Sequence, residues 1–414
     1  MWDKRNFCYR QILLISGIFL FLTIIYGVLY DSEPDVILFR EVTVKDSINW
    51  LTYRVNVRHL GIAPMDCCVD SGLVLEWKTK RLNTNEYSAS KSSPAVDSDK
   101  IYLGLDTGEL VSVERTTGEI LWRFRTRKSK NGIHGSPTLN PELGLVYIGA
   151  YDGWIYAVDT TTGDFVWENK LGDYIGSSPV LYNGVVYIGV EMGEPAGYLV
   201  GVDSETGREV FRSRKFASHP HSTPTVDHKS GCIIIGSNDS YLYCYSIDDK
   251  DELWRFKTGY DIKSTASVYD GVVYITSWDS NLYAIDISNG NEIWSFSSHA
   301  ASMSSPTVDP WKGVVYFGNH DGRFYAVNIT DGEMLWRYVT DGRILSSPTL
   351  VNSTQTIIVG SDDGHVYVLD SIKGTLKQKV SLNSGLSGVP VTIGSQMYVF
   401  DNLGHLYSFK TLKP

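Results

Sequence analysis

Hydrophobic and polar positions along this chain fall into short runs that recur in a fixed order. In the clearest copy, residues 136–167, a Ser-Pro pair precedes a Val-Tyr-Ile run, an Asp-Gly turn, a Tyr-Ala-Val run, a Thr-Gly pair and a tryptophan. Short β-branched and aromatic runs bounded by Gly and Asp are typical of strands. The slot held by the tryptophan recurs eight times, at steps of 40 to 45 residues. A period of this length with four short strands per repeat predicts a β-propeller.

The recurring tryptophan slot predicts a side chain that packs between neighbouring blades. A tryptophan there would bury roughly 200 Å², worth about 5 kcal/mol gross. One slot holds Gln378, and we expect the blade that carries it to pack less tightly. The docking residues predicted in the other slots are Trp77, Trp122, Trp167, Phe211, Trp254, Trp294 and Trp336.

The phase of the repeat predicts how the ring closes. Leu73–Trp77 is a tryptophan strand without three strands before it, and the last repeat, 389–409, has three strands without a tryptophan strand. We therefore expect an all-β fold, an eight-bladed β-propeller of four-stranded antiparallel blades over residues 73–410. The N-terminal strand completes the last blade, so no open sheet edge is left between the first and last blades.

The N-terminal region predicts one membrane-spanning helix. Residues 12–30 carry no charge and would form about 28 Å of helix, enough to cross a bilayer core. Basic residues precede this run and acidic residues follow it, which predicts a cytoplasmic tail at 1–11 and an uncleaved signal anchor. A lead-in segment at 31–72 then connects to a propeller outside the cytoplasm, at the cell surface, in the periplasm or in a lumen. A cleaved signal peptide is the competing interpretation, although its apolar region is usually about 7–15 residues long.

Composition disfavours some functions. The net charge is −10 and no stretch is densely basic, so nucleic-acid binding is not expected. The aspartates of the Asp-Gly pairs are explained by turn chemistry, since Gly accepts the positive φ of a tight turn. No Ser-His-Asp, paired-carboxylate or glycine-rich phosphate arrangement stands out from the repeat. The sequence therefore predicts no catalytic residue and no metal site.

Cysteines and sequons bear on the compartment. Cys232 and Cys244 fall on neighbouring predicted strands, where antiparallel pairing could bring them opposite each other. An extracytoplasmic location permits a disulfide, and two buried thiols are the alternative. Candidate glycosylation acceptors are Asn238, Asn328 and Asn352.

One position of the repeat departs from the apolar pattern. A proline, or Ala266 in one repeat, marks each inner-strand start. Three residues before it, four of eight slots hold a basic or imidazole side chain, on a protein that is strongly acidic. That position is expected to open onto the axial channel, where these side chains are either a solvated rim or a ligand-binding rim. The four residues are Lys91, His134, His221 and Lys263.

The repeat also resembles a known family. The phrase Ala157-Val-Asp-x-x-Thr-Gly-x-x-x-Trp167 resembles the tryptophan-docking motif of propellers of the pyrroloquinoline-quinone (PQQ) type, and Trp50–Gly61 resembles the lead-in that often precedes them. The resemblance implies one of two functional classes. Quinone-dependent dehydrogenases hold PQQ and a calcium ion on the axis, whereas non-catalytic members, including a lipoprotein of outer-membrane protein assembly, bind protein partners.

Two features favour the non-catalytic class. The blades carry almost no insertions, the longest being Glu191–Gly197, whereas large loops roof the cofactor of the dehydrogenases. In the alcohol dehydrogenases of this family a vicinal cysteine pair lies within the propeller loops. Here the pair Cys67-Cys68 precedes the first strand. We therefore predict a membrane-anchored, non-catalytic scaffold that binds a protein or ligand and needs no cofactor. The alternatives are a PQQ-dependent alcohol or sugar dehydrogenase, with PQQ and calcium, and an ectodomain that senses a polysaccharide or other ligand.

Overall fold

The architecture is a ring of eight small sheets. The computed structural model describes residues 49–65, 67–84, 92–127 and 132–412 of the chain. Over these residues the chain forms 32 strands in eight four-stranded sheets. In seven sheets the four strands are consecutive in the chain and hydrogen-bonded in that order, whereas in the eighth sheet β1 joins the last three strands. The predicted all-β, eight-bladed propeller is confirmed.

Each blade runs from an inner strand of two or three residues to an outer strand of four to six residues. The strands in chain order are β1 (Leu73–Lys78), β2 (Ala95–Val96), β3 (Lys100–Gly104), β4 (Glu109–Glu114), β5 (Ile120–Arg125), β6 (Thr138–Asn140), β7 (Leu145–Gly149), β8 (Trp154–Asp159), β9 (Phe165–Lys170), β10 (Val180–Tyr182), β11 (Val185–Glu191), β12 (Gly197–Asp203), β13 (Glu209–Arg212), β14 (Thr225–Asp227), β15 (Cys232–Gly236), β16 (Tyr241–Ser246), β17 (Glu252–Lys257), β18 (Ser267–Tyr269), β19 (Val272–Thr276), β20 (Asn281–Asp286), β21 (Glu292–Ser297), β22 (Thr307–Asp309), β23 (Val314–Gly318), β24 (Arg323–Asn328), β25 (Met334–Val339), β26 (Thr349–Val351), β27 (Thr356–Ser361), β28 (His365–Asp370), β29 (Leu376–Ser381), β30 (Val391–Ile393), β31 (Gln396–Phe400) and β32 (Leu406–Thr411). A short 3-10 helix, Asn352–Thr354, follows β26.

Burial along the strands follows their place in the blade. All five residues of β7 are buried, whereas β21 alternates between exposed and half-buried residues. A middle strand lies between two neighbouring blades, so both of its faces are covered and its central residues are buried, as in β4 and β24. An outer strand lies at the rim, where one face meets solvent.

The ring closes as the repeat phase predicts. Strand β1 pairs antiparallel with β32, with Leu73 opposite Thr411 and Lys78 opposite Tyr407. The last sheet therefore has the order β1-β32-β31-β30, and the two ends of the propeller chain share one blade. The closing pair covers the edge of β32 that would otherwise be free to pair with another chain.

The outer-strand tryptophans pack against the following blade. Trp122 of β5 donates a hydrogen bond from Nε1 to the carbonyl of Thr160 at 3.2 Å. Gly163 lies against the same ring with a φ of +77°, and a Cβ atom there would approach the indole to 2.7 Å. The Thr-Gly pair of the repeat is thus required both by backbone conformation and by the ring contact. The same glycine contact recurs at Trp77, Trp167, Trp254, Trp294 and Trp336.

Two of the eight slots hold a residue other than tryptophan and contact the following blade in another way. Phe211 is 7% exposed and meets Tyr245 of the following blade edge-on, with ring centroids 6.0 Å apart. Gln378 makes two hydrogen bonds to the backbone of Leu73, accepting from its N–H at 2.9 Å and donating to its carbonyl at 3.0 Å. Gln378, in the slot without an aromatic ring, therefore binds the closing strand β1 by hydrogen bonds. Looser packing of that blade stays a prediction.

The described part of the lead-in crosses the axis of the ring. This plug segment, residues 49–65, begins with a β-bridge between Trp50 and Val96 of β2. Its later carbonyls accept backbone hydrogen bonds from inner strands β6, β14, β18, β22 and β26, at Leu51, Val57, Arg58, Leu60 and Gly61 respectively. Arg54 is fully buried within it and donates to the hydroxyls of Ser267 and Thr307. The segment therefore fills the axial channel and ties the blades together.

Within the part of the chain that the structure describes, no helix has the length and apolar character needed to cross a membrane. The predicted cytoplasmic tail at 1–11 and anchor at 12–30 lie outside the described residues.

Candidate functional site

A cavity of about 360 Å³ lies on the axis above the plug segment. Tyr53 of the plug segment contributes to its lining, and the Tyr53 hydroxyl lies 3.3 Å from Ser305 Oγ and 3.2 Å from Ser347 Oγ. Many wall residues come from two repeat positions, one three residues before the inner-strand start and one preceding the aspartate of the hairpin turn, as at Tyr151 and Trp278. Because all blades share one local structure, equivalent positions distant in sequence converge on the axis.

The rim position singled out in the sequence contributes to this wall from seven blades. Its members there are His134, Gly176, His221, Lys263, Met303, Leu345 and Ser387. Lys91, the eighth, lies outside the described residues. The structure thus brings three of the four predicted rim residues to one cavity, while binding by them stays a prediction.

The Ser-Pro start of the repeat holds the wall rigid. The N–H of Ser93 donates to Ser136 Oγ of the next blade at 2.8 Å, and the N–H of Ser136 donates to Ser178 Oγ at 2.9 Å. The N–H of Val389 in the last blade donates to Ser93 Oγ at 2.9 Å, which continues the chain of contacts across the closure. These blade-to-blade bonds fix the inner-strand starts, and with them the side chains three residues earlier.

Two cations face the cavity. Lys263 Nζ lies 3.6 Å from the centroid of the Trp278 ring and 3.4 Å from an Asp261 carboxylate oxygen. The Arg343 guanidinium pairs with Asp362 at 2.8 Å, and its side chain is 60% exposed against 19% for Lys263. A cation over an indole face is held in place by the ring quadrupole. One cation is therefore held inside the cavity and the other at its mouth.

The opposite sector is aromatic. The His134 and Tyr151 rings stack with centroids 4.0 Å apart and planes inclined by 25°. Burial, and then the nearby charge of Glu191, raise the pKa of the Tyr151 hydroxyl. The hydroxyl therefore stays protonated at neutral pH and can donate a hydrogen bond.

A carboxylate and two imidazoles cluster beside the cavity. Glu191, the last residue of β11, is 2% exposed, and His221 Nδ1 lies 3.1 Å from its Oε1 atom. His219 Nδ1 lies 3.8 Å from Oε2 of the same carboxylate. Burial acts to raise the pKa of Glu191, but the hydrogen bond with His221, the charges of both imidazoles and the Gly176 N–H outweigh it and lower the pKa. The buried carboxylate is therefore ionised.

Sequence reasoning missed Glu191 and His219 as site residues. Their signal was the one long insertion, Glu191–Gly197, together with two histidines spaced by a single proline at a rim position. The insertion extends β11 and β12 to seven residues each, which carries Glu191 beyond the usual strand end.

The two cysteines of the possible disulfide lie on neighbouring strands of the fourth blade, and the disulfide itself stays a prediction. Cys232 and Cys244 are both buried free thiols. In the pairing of β15 with β16, Cys232 lies opposite Ser246 and Cys244 lies opposite Ile234. A two-residue offset makes the cysteines diagonal neighbours on one face, instead of a directly opposed pair.

The remaining predicted residues lie outside the cavity lining. The docking aromatics sit on outer strands, and the acceptors Asn238, Asn328 and Asn352 are half-exposed, with glycosylation still a prediction. Cys67 is buried and Cys68 is exposed, and the Cys68 N–H donates to the carbonyl of Gly394 beside β30. Neither cysteine is part of the described cavity wall.

These features define a class of protein, a closed repeat propeller with a plugged axis and a polar cavity above the plug. A family model described as outer membrane protein assembly factor BamB matches residues 70–213 and 195–347, together about two thirds of the chain. The chain therefore belongs to the PQQ-like propeller family, as its docking motif implies.

Solved structures with this fold include both functional classes. A europium-containing methanol dehydrogenase aligns with a TM-score of 0.76 at 12% identity, covering 89% of this chain and 100% of that one. BamB from Moraxella catarrhalis aligns with a TM-score of 0.66 at 19% identity, covering 82% and 99%. The quinohemoprotein alcohol dehydrogenase ADHIIG from Pseudomonas putida HK5 aligns with a TM-score of 0.75 at 14% identity, covering 89% and 81%. At these identities the similarity shows the fold alone, and no curated protein matches the chain.

The described wall does not offer a donor set for calcium. Calcium takes about six to eight oxygen ligands, usually including several carboxylates. The buried carboxylate beside the cavity, Glu191, is flanked by two imidazoles. The carboxylates of Asp261 and Asp362 are already paired with cations, Lys263 and Arg343 respectively. The described side chains therefore do not fit a calcium–quinone centre.

Proposed function

We propose that this protein is a non-catalytic binding propeller, anchored by its N-terminal segment, that holds an acidic segment of a protein partner in the axial cavity. The observation that carries the proposal is the pair of cations facing the cavity, Lys263 within it and Arg343 at its mouth. A protein with a net charge of −10 repels acidic partners over most of its surface. Lys263 and Arg343 would give an acidic group of such a partner one place to bind, where it replaces the aspartates that now pair with these cations.

The geometry suits a carboxylate-bearing side chain better than a whole folded domain. The cavity of about 360 Å³ admits one or two side chains. The exposed guanidinium of Arg343 can meet an acidic group first, since it is the more accessible cation. Lys263, held over Trp278, can then receive it deeper in the cavity, where a charge pair is screened less by solvent.

A site-specific crosslink would test the proposal. A photo-crosslinking residue replaces Met303, which lies in the cavity wall, in the full chain in intact membranes. We expect a defined protein adduct at this position, and we expect Lys263→Glu to abolish it because it reverses the charge in the cavity. Lys257→Glu, on the exposed outer strand β17, is the matched control and should leave the adduct unchanged. Equal adduct yields in both charge variants, or no adduct at position 303, would contradict the proposal.

A quinone-dependent oxidoreductase is the second candidate. The observation that favours it is the indole of Trp278 beneath Lys263, in a cavity that Arg343 also lines, because an aromatic quinone bearing carboxylates needs both a ring surface and cations. Titration of the purified protein with PQQ and calcium, followed by a dye-linked alcohol or sugar oxidation assay, separates the two candidates. We expect neither stoichiometric binding nor turnover; turnover would replace the scaffold proposal by the enzyme.

A further inference from the structure

The cluster of Glu191, His219 and His221 has the composition and spacing of a metal site. The three side chains each place one ligand atom so that all three atoms lie within 4.8 Å of one another. Two ligands of a tetrahedral zinc ion with bonds of about 2.0–2.1 Å lie about 3.3 Å apart. The two carboxylate–imidazole separations, 3.1 and 3.8 Å, bracket that value.

The backbone around the cluster holds its ligands in place. The N–H of Glu191 donates to the carbonyl of Tyr174 at 2.9 Å, and Glu191 pairs with Gly197 in the β11–β12 ladder. His219 Nε2 lies 3.0 Å from the carbonyl of Met192, within the insertion. A ring nitrogen bonded to a carbonyl carries the proton, so Nδ1 of a neutral His219 presents its lone pair to the carboxylate. An imidazole oriented by a carbonyl on its far nitrogen is the usual support of a metal-binding histidine.

A proton accounts for this geometry less well than a metal ion does. The 3.8 Å separation between His219 Nδ1 and Glu191 Oε2 is longer than a hydrogen bond. A tetrahedral ion bound by both atoms would bring them about 0.5 Å closer, to about 3.3 Å. A neutral His221 can donate its Nδ1–H to Oε1 at 3.1 Å. His219 carries its proton on Nε2, so its Nδ1 has no proton to share with the carboxylate.

We propose that Glu191, His219 and His221 bind one divalent transition-metal ion, of the class that prefers imidazole and carboxylate ligands, with zinc as its test ion. Two imidazoles and one carboxylate make three protein ligands, which leaves a fourth position for water or an incoming carboxylate. One of the three ligands, His221, belongs to the cavity wall, so the site borders the cavity. The site is independent of the partner proposed above, since it requires only these three residues.

Zinc titration of the EDTA-treated full chain, followed by calorimetry, tests the proposal. We expect one zinc ion per chain, with at least about tenfold weaker binding in His219→Ala and in Glu191→Gln, as loss of a supporting or direct ligand produces. His228→Ala is the matched control, because His228 is exposed in the turn after β14, and it should bind zinc as the wild type does. No zinc bound at micromolar concentration, or equal losses in all three variants, would overturn the proposal.

A measurement on the wild-type protein covers the case in which a variant fails to fold. The X-ray absorption spectrum of the zinc-loaded full chain should show two imidazoles with oxygen completing the shell, and no sulfur. Sulfur in the first shell would place the ion on the cysteines and overturn the assignment. A single imidazole, as expected for zinc bound adventitiously at the surface, would overturn it as well.

Discussion

Replacing Trp77 by alanine is a direct test of ring closure. Trp77 belongs to β1, yet its indole packs on Gly118 of the first blade, where an added Cβ would approach the ring to 2.6 Å. The ring also lies 6.2 Å, centroid to centroid, from Tyr398 of β31. Its Nε1 has no hydrogen-bond partner among the described residues, so the substitution removes packing and no hydrogen bond. Aromatic-to-alanine changes in cores lower the free energy of unfolding by about 3–5 kcal/mol. Because Trp77 is only half-buried, we expect a loss at the lower end, about 3 kcal/mol.

The expected change in melting temperature follows from the size of the ring. At about 2.1 cal/mol/K per residue, about 340 residues give an unfolding entropy of about 0.7 kcal/mol/K, so Trp77→Ala should lower Tm by about 4 °C. Calorimetry measures this value, and urea unfolding gives the free-energy change. Trp311→Ala is the control, since Trp311 is 44% exposed in the turn after β22, and its Tm should stay within about 1 °C of the wild type. Equal melting temperatures for the two variants would refute the argument that β1 seals the ring.

Three further predictions concern the closing blade and the N-terminus. Gln378→Ala should lower the free energy of unfolding by about 1–3 kcal/mol in urea, because both backbone groups of Leu73 lose a partner; an unchanged midpoint would show that these bonds contribute nothing. Deleting residues 1–45 should leave a soluble, cooperatively unfolding protein, whereas deleting residues 1–80 also removes the plug segment and β1 and should lower Tm; equal melting would contradict this. Protease added to intact cells should digest the propeller while the mature protein keeps its first residues, and a mature N-terminus near Asp31 would instead indicate a cleaved signal peptide.

The sequence by itself determined the parts of this protein that depend on local, repeated structure. Strand order, blade number and the pairing of β1 with the last blade all follow from the period and phase of the repeat. Because the pattern occurs eight times, each copy supports the same prediction. The cavity wall follows for the same reason, since the position of His134 and Lys263 contributes to it from seven blades of the described structure. The docking motif likewise identified the family.

Only the tertiary structure decided the features that break the repeat. The plug segment has no periodic signal, and its path depends on backbone bonds to inner strands up to several hundred residues away. Gln378 interrupts a pattern of aromatic residues, and it bonds to the backbone of Leu73. Every residue type has the same backbone groups, so the sequence gives no sign of this partner. Glu191 meets His219 only because an insertion in one blade reaches the start of the next. Periodicity reports what neighbouring repeats share, whereas each of these contacts is made once, between unlike residues, and so depends on the folded geometry.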